Sequence, residues 1–239
     1  MREGVYGIVT MLFFDACTLE GKSFRVFYFY QKERFFLMTQ ASKRTHHLAV
    51  AAMLSAVAAV LQFVEFSIPL IPSFVKLDIS DLPALLGTFS LGPVYGVVIQ
   101  LVKNLLHLPF GSSAGVGELS NFILGAVFVL CAGLVYRKHK SRKGALIGAM
   151  LGAVLMAVVS VPSNYFFVYP AYVKVYGMPL GAIIGAYQAI LGTIAEVPSS
   201  NALLNCLLVF NVPFTFCKGL LDVGLCFLIY KPLSPLLHK

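Results

Sequence analysis

The stretch Gly87-Thr-Phe-Ser-Leu-Gly92-Pro93-Val-Tyr95-Gly96-Val-Val-Ile-Gln-Leu-Val-Lys103-Asn104, followed by Gly111-Ser-Ser-Ala-Gly-Val-Gly117-Glu118-Leu-Ser-Asn121-Phe-Ile, decides the fold. It sets Lys103, Asn104, Glu118, Asn121 and a glycine-rich turn among segments apolar enough to sit in a bilayer. Polar groups at that depth are expensive, so they mark a ligand path more often than idle surface.

Composition agrees with that reading. The 239 residues are 59% hydrophobic and 12% charged, with a mean hydropathy of +0.85. Soluble domains run nearer 45–50% apolar and about 25% charged, and a soluble core of this length cannot hide so much apolar surface. The length allows about six spans of ~20 residues. The expected fold is therefore an all-α integral membrane protein with six transmembrane helices.

A net charge of +8 raises the possibility of nucleic acid, but the distribution excludes it. Five of the 18 basic residues lie in Arg137-Lys-His-Lys-Ser-Arg-Lys143, between two apolar runs, and Lys43-Arg44 stand before the first. That is the positive-inside pattern, which puts 43–46 and 137–143 in the cytoplasm. The five cysteines (Cys17, Cys131, Cys206, Cys217, Cys226) form no CxxC pair. Three fall in apolar runs, where Cys is a small hydrophobe, so no metal is expected.

Residues 1–37 read as a poorly ordered or non-native extension ahead of a membrane domain over 38–239. Ala16-Cys-Thr-Leu-Glu-Gly21-Lys22-Ser23 fits a relaxed phosphate-loop pattern. A working loop of that kind needs a preceding strand, a following helix and a packed α/β domain, for which 37 residues leave no room.

The first span is expected over His47–Phe66, with Ala52/Ala56 and Ser55/Ala59 at i, i+4 allowing close helix approach, inside the fold or to another protein. Two prolines keep 67–77 from being helical. Asp78 or Ser80 is positioned to cap a helix that carries Pro83 in its first turn and stops at Gly92-Pro93. That helix is about 18 Å long and the next, Val94 to about Leu108, is also short of a ~30 Å core. Non-helical backbone filling the space they leave is tolerated only against protein or a cavity, so an outer-side pocket is expected. Further spans are expected over Glu118–Tyr136, Gly144–Phe166 and Leu203–Tyr230. Leu180–Val197 reads as a partly buried outer helix, with a seventh span as the alternative.

Lys218 and Asp222 share a helix face and can neutralise one another, and an intramembrane charge is a functional candidate by default. Asn164, Thr215 and Lys218 form a convergent polar cluster of the kind that builds small-molecule sites. Lys103-Asn104 and Glu118/Asn121 form a second cluster, read either as loop fixing or as ligand contact. No metalloprotease, nucleophile-elbow or aspartate-rich metal motif stands in a span, so catalysis is not expected.

Pro72-Ser-Phe74-Val-Lys76-Leu-Asp78-Ile-Ser80-Asp81-Leu-Pro83, Gly92-Pro93-Val-Tyr-Gly96 with Lys103-Asn104, Val116-Gly117-Glu118-Leu-Ser-Asn121, Pro162-Ser-Asn164-Tyr165-Phe-Phe-Val-Tyr169-Pro170 and Asn211-Val-Pro213-Phe214-Thr215-Phe-Cys-Lys218-Gly219 follow one another in order. In these the chain resembles the substrate-binding S components of energy-coupling factor (ECF) vitamin transporters, above all the riboflavin-specific ones, over about residues 44–232. The resemblance implies six helices, both termini cytoplasmic in the cell membrane, and riboflavin or a related flavin held on the outer side as ligand rather than cofactor. It implies partnership with a transmembrane coupling protein and two ABC ATPases, which Ala52 and Ala56 of the first helix would meet. Ligand contact falls to Asn164, Thr215 and Lys218. Phe74, Tyr95 or Phe214 suit a flat ring, and Lys76 and Asn121 suit polar groups. The alternatives are an S component for another vitamin or a nucleobase-like solute, or a free-standing secondary transporter. The latter would show internal inverted repeats, which are not seen.

Overall fold

The computed structural model describes residues 43–67, 76–111, 115–177, 179–191 and 202–237. The extension expected over 1–37, Phe74 and the loop prolines lie outside them. The architecture below is that of the compact unit Leu48–Lys239.

Helix α1 runs Lys43–Phe63. A two-stranded antiparallel pair follows, β1 (Phe66–Ser67) against β2 (Lys76–Leu77), with Phe66 opposite Leu77. Then come α2 (Asp81–Leu91), α3 (Pro93–His107), α4 (Val116–Lys138) and α5 (Arg142–Ser163). A π-helical segment, Asn164–Val168, joins α5 to α6 (Tyr169–Tyr176), and α7 covers Leu180–Leu191. A second π segment, Leu207–Asn211, joins α8 (Ala202–Cys206) to α9 (Val212–Leu237).

Lengths follow from local chemistry. Gly92 sits at φ +111, a conformation glycine reaches without a Cβ penalty, and Pro93 opens α3 at a position where its missing N–H costs nothing. At 11 and 15 residues, α2 and α3 are both too short for a bilayer core on their own, as expected. Four stretches are long and apolar enough to cross one: Lys43–Phe63, Val116–Lys138, Arg142–Val175 and Leu203–Ile229. The third runs longer than the expected Gly144–Phe166 because helical structure continues through a π segment, while the fourth keeps the expected bounds to within one residue. The outer helix expected over 180–197 is described only to Leu191, and its 12 residues fall short of a span.

Both π segments have the same sequence cause. Each ends two residues before a proline, in Asn164-Tyr-Phe-Phe-Val168-Tyr-Pro170 and in Leu207-Leu-Val-Phe-Asn211-Val-Pro213. A proline offers no N–H to the carbonyl four residues back, and its ring crowds that carbonyl. The backbone widens to i→i+5 bonding, with Tyr169 N–H donating to Asn164 O and Val212 N–H donating to Leu207 O.

Packing is inside-out for a soluble protein. Asp78, Asp81, Lys103, Glu118, Lys218 and Asp222 are all buried, whereas Leu48, Met53, Val57, Val98, Leu105, Leu151, Phe166 and Val209 are exposed. Charged side chains are almost never fully buried unless paired, and so many large apolar groups outside need lipid as their solvent. Inside, α4 and α5 approach closely along the small-residue face of α5. A Cβ on Gly148 or Gly152 would fall 2.7 Å from the Ala132 or Phe128 carbonyl oxygen, so the small residues there are dictated by backbone proximity.

Candidate functional site

A cavity opens between the β1–β2 end of the fold, α4, the α5–α6 junction and the α8–α9 junction. Its walls carry Gln62, Glu65, Lys76, Asp78, His107, Glu118, Asn121, Leu124, Met156, Asn164, Tyr169, Tyr172, Asn211, Phe214, Thr215 and Lys218. Aromatic and apolar faces from Leu124, Met156, Tyr169, Tyr172 and Phe214 with convergent polar groups, at a depth where such groups are costly, suit a small-molecule site of unusually polar lining.

The floor is an ionic network. Asp78 Oδ1 accepts from the Ser80 backbone N–H at 2.9 Å and from the Ser80 hydroxyl. Lys103 Nζ donates to Ser80 Oγ at 2.6 Å and to Asp81 Oδ1 at 2.5 Å, and Gln100 Nε2 donates to that same oxygen at 2.9 Å. Lys218 Nζ donates to Asp78 Oδ2 at 2.9 Å and to Asn121 Oδ1 at 3.3 Å, and lies 3.5 Å from Asp81 Oδ2. Lys218 and Asp81 are 4% and 2% exposed, so neither charge has water to fall back on. Two carboxylates at the start of α2 also complement its dipole.

Three expectations are corrected here. Lys218 makes its hydrogen bonds to Asp78 and Asn121 rather than to Asp222, whose buried carboxylate oxygens have no hydrogen-bond partner among the described residues. A helical side chain leans toward the N-terminal turn, which takes the Lys218 ammonium away from Asp222 and toward α2. Ser80 is the N-cap residue of α2 but makes no side-chain cap bond: its backbone is helical and its hydroxyl oxygen accepts from the Lys103 ammonium instead of from a helix N–H. Tyr95 does not line the cavity. It lines a second cleft with Gly92, Pro93, Tyr136, Arg137 and Lys140, because it lies twelve residues, about 18 Å, from the cavity-lining His107 of the same helix.

Asn164, Thr215, Lys218, Lys76 and Asn121 are brought together on the cavity wall, while Phe74 is outside the described residues. Lys76 is paired with Glu65 across the strand pair. Of the second polar cluster, Lys103 and Asn104 hold the scaffold: Asn104 Nδ2 donates to Gln100 O at 2.8 Å and its Oδ1 accepts from Gln62 Nε2 at 3.1 Å. Glu118 and Asn121 face the cavity, with His107 Nδ1 3.1 Å from Glu118 Oε1. Ala52 and Ala56 stand on the exposed face of α1, while Ala51, Ser55, Ala58 and Ala59 pack inward.

The sequence reading missed Asp78, Tyr169 and Asn211 as cavity residues. Two had a visible signal: Asn211, Thr215 and Lys218 sit at i, i+4, i+7 on one stripe, and Tyr169 lies next to the turn after Asn164.

Comparison with known proteins gives a consistent picture. Residues 46–230 match the family model "ECF transporter, substrate-specific component". The riboflavin transporter RibU of Staphylococcus aureus (strain TCH60) is 34% identical over 203 residues, 85% of this chain and 96% of that protein. The riboflavin transporter FmnP of Bacillus subtilis (strain 168) is 30% identical over 195 residues, 80% of this chain and 94% of that one. A solved structure of the S component of a bacterial ECF transporter matches with a TM-score of 0.63 at 32% identity, covering 82% of this chain and 99% of its own.

The network makes a stability prediction. Lys218→Met leaves Asp78 and Asp81 sharing one buried ammonium, so unfolding free energy should fall by about 3–5 kcal/mol. Asp222→Asn removes no hydrogen bond and should change it by less than about 1 kcal/mol. Thermal melting of the two detergent-purified variants separates these outcomes, and equal losses would mean that Lys218 leans on Asp222 after all.

A buried ionic floor, a polar and aromatic cavity above it, an apolar outer surface and a family match over 185 of the residues from 46 to 230 place this chain among the substrate-specific S components of ECF transporters.

Proposed function

We propose that this membrane protein captures riboflavin, or a closely related flavin, in the cavity between α4, the α5–α6 junction and the α8–α9 junction. The observation carrying this reading is the convergence of Asn164, Thr215 and Lys218 on one cavity wall, in a chain whose relatives at 34% and 30% identity are named riboflavin transporters. The chemistry fits. Phe214, Tyr172 and Met156 offer faces for a flat tricyclic ring, while amide, hydroxyl and ammonium groups match its carbonyls and polyol.

Transport requires an energy source, and the family's solution is a separate coupling protein with two ABC ATPases. In this reading the basic 137–143 loop is cytoplasmic, as are both termini, and the cavity faces out. The exposed Ala52/Ala56 face of α1 is the docking surface. Small side chains at i, i+4 allow a partner helix to approach at backbone distance.

Two measurements test this. Purified protein should quench riboflavin fluorescence at micromolar ligand without ATP or metal, and absence of quenching would remove the vitamin assignment. Ala52→Trp should leave that quenching intact yet abolish riboflavin uptake in cells carrying the coupling protein and ATPases. Normal uptake by this variant would exclude the α1 face as the docking surface.

A further inference from the structure

The second cleft, of about 570 Å³, lies between the α2–α3 corner and the last turn of α4, at the far end of α3 from the cavity. Gly92, Val94, Tyr95, Tyr136, Arg137 and Lys140 line it. Backbone fixes both of its sides. Gly92 N–H donates to Thr88 O at 3.1 Å, and a Cβ on Gly133 of α4 would fall 2.7 Å from the Pro93 side chain, so the start of α3 lies hard against α4. Opposite, Ser141 N–H donates to His139 O at 2.8 Å and Ser141 Oγ accepts from Gly144 N–H at 3.0 Å, which holds the Lys140 backbone in a tight turn. The rings of Phe89 and Tyr136 meet edge to face at 5.1 Å between the two. The charge here is unmatched. Arg137–Lys143 carries five cations, and residues 119–195 contain no Asp or Glu. Among the described residues, Glu65, Asp78, Asp81, Glu118 and Asp222 all stand elsewhere, and Arg137 and Lys140 form no ion pair.

We propose that this cleft binds the phosphate headgroup of an anionic glycerophospholipid, held by Arg137 and Lys140, with an acyl chain lying along α3. The inference is independent of the riboflavin reading. The cleft sits where the span Val116–Lys138 ends, the level at which headgroups lie and at which tyrosines such as Tyr95 and Tyr136 are at home. Basic pockets at such helix ends hold anionic headgroups. The Arg137 guanidinium offers a planar fork that matches phosphate oxygens, and the Lys140 ammonium a compact charge. Because α3 begins in the cleft, the positive end of its dipole adds to theirs. What selects a lipid over a free phosphate is the apolar wall beside these charges. Val94 lines the cleft at 68% exposure, and Val98, Leu101 and Leu105 continue its exposed stripe along α3. A molecule carrying both an anionic head and an acyl chain satisfies the two surfaces at once. Lys138 and Lys143 belong to the same basic turn but do not line the cleft, so they separate a specific site from a general basic surface.

The test titrates phosphatidylglycerol, and separately phosphatidylcholine, into the full chain in detergent and counts bound lipids by native mass spectrometry. The unsubstituted protein should retain one phosphatidylglycerol in clear preference to phosphatidylcholine. Two double variants are compared with it, Arg137→Gln with Lys140→Gln and Lys138→Gln with Lys143→Gln. Each removes two exposed charges from the same turn. The first pair should weaken phosphatidylglycerol binding about tenfold or more, and the second by less than about threefold. Equal losses would mean a diffuse basic surface and would overturn the site. Displacement of the lipid by millimolar inorganic phosphate would show a free-anion site and overturn the lipid assignment. Equal retention of the two lipids, or of neither, by the unsubstituted chain would overturn the proposal without recourse to any variant.

Discussion

The Lys218 ammonium, hydrogen-bonded to Asp78 and 3.5 Å from Asp81, is the interaction on which the rest of the site depends. It joins α9 to the start of α2 across 140 residues of sequence. The short helices α2 and α3 also pack into the core through Leu85, Leu86, Phe89 and Ile99, and the ammonium adds a polar tie from α2 to α9. Lys103 locks the other side of the same carboxylate pair, and Gln100 completes the shell of Asp81. At membrane depth such groups cannot trade partners with water, so the arrangement is specific as well as costly. The cavity inherits its floor from this network, and Asn121 is drawn into line with Lys218 by the same ammonium.

Above that floor the walls depend on two prolines. Pro170 and Pro213 each follow a π segment by two residues, and the segments carry Asn164 and Asn211 at the cavity while Phe166, Phe167, Leu208 and Val209 stay exposed on the outer surface. An uninterrupted α-helix would rotate these residues by a full position. A local backbone defect therefore sets which side of the helix is polar, a use that recurs where π-bulges meet ligands.

Much of this was legible in the sequence. The apolar balance, the Gly92-Pro93 break and the small residues of α5 dictated a membrane fold with two short helices, and the order of motifs pointed to the family. Asn164, Thr215, Lys218 and Asn121, which the structure brings to one cavity, stand out in the sequence as polar residues in apolar runs. What could not be read was pairing. Asp222 is the near neighbour of Lys218 along the helix, but Asp78 and Asp81 reach it only through tertiary folding. Asp78 looked like a helix cap because local patterns favour that use. Tyr95 was chosen for its ring alone, and ring chemistry carries no information about which end of a helix faces the cavity.

The most direct test of this account is a double-mutant cycle between Asp78→Asn and Lys218→Met, read as unfolding free energy in detergent. If the pair fixes α2 against α9, each single variant loses stability and the double variant loses little more than either alone, giving a coupling of about 1–3 kcal/mol. Losses that add within about 0.5 kcal/mol would show that the two groups act independently, and the network would no longer be what organises the site.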